Sequence, residues 1–241
     1  MSMAVLPEIV RNLDGILIRS TNPKGDVTTR MLLTSLVLRY SSSDVLRCLI
    51  DEVCSDDVLM LKCAKLSERH PLGFDKLVVF SSSYYDIRIH VWWPDEPRQR
   101  EDIHNHRFSF ASAVITGTIE VSSYQLRGGG VAMTRLKEGR TDQNVYQYKV
   151  LGDASVWNMS ALMLAKGSSY YMDGTVLHRV DVMSNSLVAT LFIRGPQERD
   201  ITTILTERTS YGSPKAGRRE SYKPEEARRR LQALAEFIKE D

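Results

Sequence analysis

The chain has 241 residues, of which 42% are hydrophobic, 8% aromatic and 26% charged. This composition is that of a folded globular protein, and it excludes a fibrous or intrinsically disordered chain. The 32 Lys and Arg nearly balance the 30 Asp and Glu, giving a formal net charge of +2, which argues against a protein that binds nucleic acid over its whole surface.

The sequence also indicates a compartment. No run approaches the roughly 18 consecutive apolar residues of a membrane-spanning helix, and Pro7 and Glu8 interrupt the first residues before a secretory signal could form. We therefore expect a cytoplasmic protein with no membrane partner. Cys48, Cys54 and Cys63 form no CxxC pair, which predicts reduced thiols rather than a disulfide framework or a cysteine zinc site.

Two periodicities divide the chain. Apolar residues recur at helical spacing through residues 26–67 and predict three helices, with Ser43 and Ser55 as N-caps, so residues 1–70 should form a helical cap. Over residues 71–200 the period changes to two, and about nine short β-rich runs predict a β-sandwich or barrel. The runs cover residues 77–80, 86–93, 108–114, 118–126, 131–136, 145–150, 168–172, 177–182 and 187–194.

The turns and the C-terminal end complete the predicted architecture. The three glycines Gly128, Gly129 and Gly130 are predicted to form a hairpin tip, because no helix follows them as a phosphate-binding loop would require. Residues 201–241 are predicted to be a linker and a helix from about Pro224, within one integrated domain. The basic run 228–230 on that helix indicates a solvated face or a partner contact, and we do not expect it to bind nucleic acid.

Three of the five histidines could hold a metal ion. His104 and His106 are two residues apart, so in an extended chain both imidazoles point to the same face. His178 lies at the start of another predicted strand. Three neutral imidazoles on one side of an ion leave the other side open, as a catalytic metal requires. The histidine pair could equally lie on the surface of an edge strand, and His178 could be a core residue.

The surroundings of these histidines resemble the cupin superfamily and, within it, the cysteine dioxygenase-like thiol dioxygenases. Residues 87–92, the segment 103–106 and Gly117 resemble the first metal motif of that family. Residues 177–180, followed by a strand that ends in Gly195 and Pro196, resemble its second. The resemblance covers roughly residues 76–196. It implies a cupin-type β-barrel, or jelly roll, with an N-terminal helical cap and a C-terminal helix.

The resemblance also implies a metal and its ligands. Most cupins place a glutamate four or five residues after the second motif histidine, where this chain has Phe110 and Ala111. The thiol dioxygenases also lack this carboxylate and bind ferrous iron through three histidines. The resemblance therefore implies that His104, His106 and His178 hold Fe(II), although imidazole ligands also suit zinc, nickel and copper.

The chain departs from the family at two places. Residues 107–112 contain no cysteine, so the cysteine–tyrosine crosslink of the mammalian enzymes cannot form. The family ends its second motif strand with a Ser, His, Tyr relay, and Thr190, Phe192 and Arg194 occupy those positions here. Because side chains alternate along a strand, these three should face the barrel interior, while residues 187, 189, 191 and 193 pack outside. A different substrate or substrate pose is implied.

The same alignment predicts a substrate pocket. Arg194, His90 and Arg88 would line it, and an arginine buried there would bind a carboxylate. The alternative is that Arg88 and His90 are the solvent side of an edge strand. The carboxylate-binding arginine of the family corresponds to a position near Lys76, and lysine cannot make the same bidentate pair.

These observations predict a function and leave alternatives. The first hypothesis is a non-haem Fe(II)-dependent oxygenase of thiol dioxygenase type, which uses O2 and a small acidic substrate such as an amino acid or a carboxylic acid. A variant of it is an iron oxygenase acting on a metabolite that is not a thiol. The other hypothesis is a non-catalytic cupin that binds a ligand as a sensor, with the basic C-terminal helix as its output.

Overall fold

The computed structural model describes residues 4–18, 27–140, 146–207 and 220–240. The described residues form five helices and eleven strands. The helices are α1 Val5–Leu17, α2 Val27–Tyr40, α3 Ser43–Ser55, α4 Asp57–Leu66 and α5 Pro224–Glu240. The strands are β1 Glu68–His70, β2 Phe74–Ser81, β3 Asp86–Trp92, β4 Ile103–His104, β5 Phe108–Thr116, β6 Thr118–Arg140, β7 Tyr146–Ala165, β8 Ser169–Met172, β9 Leu177–Val182, β10 Val188–Gln197 and β11 Thr202–Thr206.

Eight of the strands pair as a jelly roll. Strand β3 pairs with β10, β4 with β9, β5 with β8 and β6 with β7, all antiparallel. The first strand of this series thus pairs with the last and the second with the second last, as in a long hairpin rolled up across two sheets. The sheet orders are β1-β2-β3-β10-β5-β8 and β11-β4-β9-β6-β7. The predicted cupin-type jelly roll with helices at both ends is confirmed.

The helices cover the outer face of the first sheet. Alternate residues of β3 and β10, including Ile89, Leu191 and Ile193, are fully buried in one core with Leu49 of α3 and Leu234 of α5. The other residues of the same strands face the interior of the barrel. The predicted alternation is therefore confirmed, because the helices bury one face of a strand and leave the opposite face to the cavity. Ala189 and Leu187 are buried in the same core between the sheet and the helices.

Two helix predictions were wrong. Helix α1 was missed, although Leu6, Ile9, Leu13 and Leu17 recur at helical spacing and are all buried. The predicted N-caps are each displaced by one residue, since Ser42 precedes α3 and Asp56 precedes α4. The carboxylate of Asp56 accepts hydrogen bonds from two backbone N–H groups of the first turn of α4, which a serine hydroxyl at position 55 does not do here.

The predicted glycine hairpin tip was also wrong. Strand β6 continues through the glycines, and Leu126 and Val131 both pair with Val156 of β7. The four residues between them therefore bulge out of a single long strand. Strand β7 likewise extends to Ala165, well beyond the predicted run, and many of its apolar side chains are exposed, so the alternation that marks a half-buried strand is absent from its sequence.

Two strands lie outside the bounds of 71 and 200 that were predicted for the barrel. Strand β1 begins at Glu68, and β11 follows residue 200 and pairs with both β4 and β6. The three-part division of the domain stays a prediction, and residues 208–219 of the predicted linker lie outside the described residues. None of the helices in the described ranges has the length and apolar content needed to cross a bilayer.

A buried aspartate ties helix α5 to the barrel. The side chain of Asp75 is fully buried and forms ion pairs with Arg69 at 3.2 Å and with Arg230 at 3.0 Å. It also accepts hydrogen bonds of 2.6 Å from the indole of Trp93 and the hydroxyl of Tyr222. A buried carboxylate is stable only when its charge is fully satisfied by donors. The loss of any of these four donors would leave the charge of Asp75 less well compensated.

We expect the substitution Asp75→Asn to lower the free energy of unfolding by about 3 kcal/mol, because it removes the buried carboxylate shared by Arg69 and Arg230 and leaves Arg230 with the partly exposed carboxylates of Glu96 and Glu226. Urea unfolding followed by circular dichroism measures this difference. The matched control is Asp57→Asn. The side chain of Asp57 is 91% exposed and pairs with Arg228 of helix α5, so this variant should unfold like the wild type. Equal midpoints for both variants would show that the Asp75 network does not hold α5.

Candidate metal centre and substrate cavity

The pairing of β4 with β9 brings the three histidines together. His104 and His178 are direct cross-strand partners, and His106 follows β4 in the loop that leads to β5. The ring centroids of His104 and His178 are 4.8 Å apart, and that of His106 lies 4.9 and 5.0 Å from them. One nitrogen of each ring lies within 4.8 Å of the others. A displacement of about 1 Å per ring would bring the three nitrogens to about 2 Å from one ion.

Backbone contacts hold the two histidine loops against each other. The N–H of His106 donates to the carbonyl of Gly174 at 3.1 Å, and the N–H of Gly174 donates to the hydroxyl of Ser109 at 3.0 Å. A Cβ atom on Gly174 would lie 2.7 Å from the carbonyl oxygen of Phe108. Only glycine allows the two backbones to come this close. The segment before His178 therefore packs directly on the segment after His106.

The hydrogen bonds of two imidazoles fix their tautomers. Nδ1 of His104 lies 2.9 Å from the carbonyl oxygen of Asp102, and Nδ1 of His178 lies 3.1 Å from that of Val176. A carbonyl only accepts, so each Nδ1 carries the proton and donates it. Each Nε2 therefore keeps a lone pair, which is the arrangement by which proteins orient histidine ligands on a metal.

Burial keeps two imidazoles of the cluster, those of His106 and His178, uncharged. Burial and, to a smaller extent, the neighbouring His104 lower the pKa of His178 to about 3. Burial also holds the pKa of His106 well below its ordinary value, with smaller contributions from the other two histidines. Neutral imidazole is the form that binds metal. The donor set and its protonation therefore fit a divalent transition metal.

No carboxylate joins the three histidines in the described part of the chain. Phe110, at one of the positions where most cupins place a glutamate, is buried, and its ring centroid lies 5.0 Å from that of His106. The carboxylate of Glu101 lines the same cavity but accepts a 3.1 Å hydrogen bond from the N–H of Val180. Sequence reasoning did not find Glu101, since nothing in its spacing relates it to the histidine motif.

The histidines open into a cavity of about 1130 Å³ inside the barrel. Aromatic rings form the wall next to the histidines: Phe108 stacks on His106 at 5.2 Å, and Phe110 stacks on Phe192 at 4.4 Å. A cavity of this size holds organic molecules well above the size of a free amino acid. Tyr170 also lines it, 6.0 Å from Phe110.

The three predicted substrate residues line this cavity as well. The side chain of Arg88 contacts the carboxylate of Asp86 at 2.6 Å, and that of Arg194 contacts the same carboxylate at 3.1 Å. The guanidiniums lie over the ring of Phe108, at 5.4 and 5.3 Å from its centroid. The edge-strand alternative for Arg88 and His90 was wrong, because β3 lies between β2 and β10.

Asp86 changes the electrostatics that the sequence suggested. Arg194 was expected to need a bound anion to offset its burial, and Asp86 already supplies one. Burial alone would raise the pKa of Asp86, but Arg88 and Arg194 more than offset this and lower it. Asp86 therefore stays ionised. Sequence reasoning missed it, because its role follows from its cross-strand pairing with Arg194.

His90 and Lys76 occupy the deeper part of the cavity wall. His90 lies among the rings of Phe74 and Phe192, at 5.0 and 4.9 Å, and burial holds its pKa well below the ordinary value, assisted by Arg88 and Lys76. Lys76 pairs with the carboxylate of Glu68 at 2.6 Å. His90 thus adds a neutral aromatic surface to the cavity rather than a charge.

Fold and site together define a cupin-type jelly roll with a candidate three-histidine metal centre. No protein-family model matches the chain, and no curated protein matches it. Among solved structures, an RmlC-like cupin from Shewanella frigidimarina is 13% identical, with 56% of this chain and 86% of that chain covered and a TM-score of 0.34. An RmlC-like cupin from Methanocaldococcus jannaschii is 10% identical, with coverages of 56% and 92% and a TM-score of 0.32.

Hydroquinone 1,2-dioxygenase from Sphingomonas sp. TTNP3, solved with 4-hydroxybenzoate bound, is 14% identical to the chain. The match covers 51% of this chain and 65% of the dioxygenase, with a TM-score of 0.33. Similarities of this size say nothing about activity, and the jelly-roll assignment rests on the strand pairing. The narrower resemblance to the cysteine dioxygenase-like family stays a prediction.

We expect His178→Ala to remove most of the metal from protein loaded with Fe(II) or Zn²⁺, because two imidazoles hold a divalent ion poorly. Metal analysis by mass spectrometry after desalting measures the occupancy. The matched control is His90→Ala, which removes a buried imidazole from the same cavity but outside the cluster, and it should keep the metal. Full occupancy in the His178 variant would disprove the three-histidine centre.

Proposed function

We propose that the protein is a non-haem Fe(II)-dependent oxygenase that acts on an acidic small molecule bound in the barrel. The observation that carries the proposal is the convergence of three histidines, two of them oriented through backbone carbonyls, at the wall of a large cavity. His104, His106 and His178 would hold the ion. When bound, Fe(II) supplies the redox-active centre at which dioxygen is activated.

The residues of the chain would bind and orient the substrate. The rings of Phe108, Phe110 and Phe192 exclude water beside the histidines and lower the local dielectric constant, which strengthens the attraction between opposite charges. Arg88 and Arg194 place guanidinium groups within about 6 Å of two of these rings. An acidic substrate would be drawn to this end of the cavity and held there in one orientation.

The thiol dioxygenase type is the first form of this proposal. A three-histidine centre without a carboxylate is the feature that the resemblance implies for it. The reaction R–SH + O2 → R–SO2H balances without another reductant, because the sulfur gives up four electrons and receives both oxygen atoms. The alternative is an oxygenase of a non-thiol metabolite, and it is supported by the size of the cavity and by Phe192 and Arg194 at the relay positions.

The basic run of helix α5, which the sensor hypothesis takes as its output, forms ion pairs within the chain. Arg228 pairs with Asp57, Arg229 with Glu226, and Arg230 with Asp75, Glu96 and Glu226. The basic run of helix α5 therefore serves contacts within this chain, and nothing in those contacts favours a regulatory surface over an enzyme.

Oxygen consumption tests the proposed function. Protein loaded anaerobically with Fe(II) is mixed with candidate acids, with and without a thiol, in an oxygen electrode. We expect uptake that depends on both iron and substrate, with a sulfinate product for the thiol type. The controls are the metal-free protein and the His178→Ala variant. Stoichiometric iron binding with no uptake for any acid in the panel would refute the oxygenase.

We expect Arg194→Leu to raise KM for the acidic substrate at least tenfold while the iron content stays unchanged, because it removes a guanidinium from the cavity and leaves Asp86 paired only with Arg88. Initial rates of oxygen uptake against substrate concentration give KM. Arg127→Leu is the control, since Arg127 is exposed on β6 and stacks on Trp157. An unchanged KM in the Arg194 variant contradicts its role.

A further inference from the structure

We infer that the substrate carries both an aromatic ring and a carboxylate: the ring packs on the wall formed by Phe108, Phe110 and Phe192, and the carboxylate binds the Nε edge of Arg88. This inference rests on the proposed function for its reaction, but the binding site that it assigns does not include the metal.

The aromatic wall lies directly beside the candidate metal centre. Phe108 and Phe110 lie 5.2 and 5.0 Å from the ring of His106. Phe192 links the two, with centroids 6.4 Å from Phe108 and 4.4 Å from Phe110. Aromatic pairs are attractive at separations of roughly 4.5–7 Å. A substrate bound beside the histidines therefore lies next to a group of phenyl rings, which favours another ring.

Arg88 supplies a donor that the protein itself does not use. One terminal nitrogen of its guanidinium donates to Asp86 at 2.6 Å, whereas its Nε is buried and has no hydrogen-bond partner among the residues that the structure describes. A buried donor without an acceptor is uncommon in folded proteins and calls for an explanation. A ligand carboxylate would satisfy it, because a guanidinium binds a carboxylate through two parallel N–H groups.

Arg88 and the wall form one continuous surface. Arg88 and Phe192 are direct cross-strand partners on β3 and β10. The guanidinium carbon lies 5.6 Å from the ring centroid of Phe192 and 5.4 Å from that of Phe108. A ring stacked on the phenyl groups would therefore hold a carboxylate, attached directly or through a short aliphatic chain, within reach of the Nε–H.

The same surface disfavours a free amino acid of the size of cysteine. Such a molecule would fill little of a cavity of about 1130 Å³ and would leave the phenyl wall in contact with water. Its ammonium group would also have to lie near the guanidiniums of Arg88 and Arg194, whose carboxylate partner Asp86 is already bound to both. The positive charges of the ammonium and the guanidiniums repel each other strongly in a cavity of low dielectric constant.

Calorimetric titration of the metal-free wild-type protein tests the inference. The probes are 3-phenylpropanoate, propanoate, 2-phenylethylamine and cysteine, which separate the ring, the carboxylate and the charge. We expect 3-phenylpropanoate to bind at least tenfold more tightly than propanoate or cysteine, and 2-phenylethylamine not to bind. Equal affinity for propanoate, cysteine or the amine, or no binding of 3-phenylpropanoate, would overturn the inference.

Two variants locate the site. Phe192→Leu removes one ring but keeps an apolar side chain, and Arg88→Lys keeps the charge but removes the Nε–H; each should weaken binding of 3-phenylpropanoate about tenfold. Phe237→Leu, which changes a phenylalanine that is 38% exposed on α5, is the matched control and should bind like the wild type. Phe108→Leu replaces the Phe192 variant if thermal unfolding shows that the latter is not folded. Unchanged affinity in the ring and arginine variants contradicts the assignment.

Failure of this inference and failure of the oxygenase give different results. If 3-phenylpropanoate binds metal-free protein as predicted but no ring-bearing acid supports oxygen uptake by the iron-loaded protein, the inference stands and the oxygenase falls. If an aliphatic thiol acid drives rapid uptake and its KM is the same in the Phe192 variant, the oxygenase stands and the inference falls.

Discussion

The short antiparallel pairing of β4 with β9 is the constraint on which the candidate site depends. It sets His104 opposite His178, two residues that are far apart in the chain, and the contact of His106 with Gly174 brings the third ring to the same point. The jelly roll makes this pairing unavoidable, because its outer pairs, β3 with β10 and β5 with β8, align the strands between them. Burial then keeps the imidazoles of His106 and His178 neutral, so that the fold produces ligands rather than a cluster of repelling cations.

The cavity wall contains two polar groups of different charge, the histidine cluster and the group formed by two arginines and Asp86. The histidines offer ligand nitrogens, whereas Arg88, Arg194 and Asp86 concentrate charge beside the ring of Phe108. In a region of low dielectric constant the carboxylate of Asp86 keeps both guanidiniums folded into the barrel when no ligand is bound. Without Asp86 the two cations would repel each other and turn towards solvent, so this residue makes a permanent basic group possible inside the fold.

The sequence was sufficient for those features that follow from local pattern. The alternation in residues 86–92 and 187–194 predicted correctly which side chains share a face, because a strand buried on one face by helices has a strict period of two. The resemblance, rather than the alternation, assigned the face with Arg88, His90 and Arg194 to the cavity. The spacing of His104 and His106 likewise predicted a shared face. Features that depend on strand register were not predictable: the pairing of Asp86 with Arg194 and the position of Glu101 are set by partners distant in the chain. The extension of β7 was missed because its exposed residues 157–163 include apolar side chains on both faces, which removes the periodic signal.

The position of Lys76 bears on how a substrate would lie. The resemblance places a carboxylate-binding arginine of the thiol dioxygenases near this residue, but in this chain Lys76 is the cross-strand partner of Glu68 and pairs with it at 2.6 Å. A lysine ammonium cannot make the bidentate pair that a guanidinium makes with a carboxylate. The Nε–H of Arg88, for which the described residues supply no acceptor, lies beside the phenyl rings on the neighbouring strand. The acidic end of a substrate would therefore turn away from β2 and towards β3 and β10, and the phenyl wall would lie between that end and the histidines.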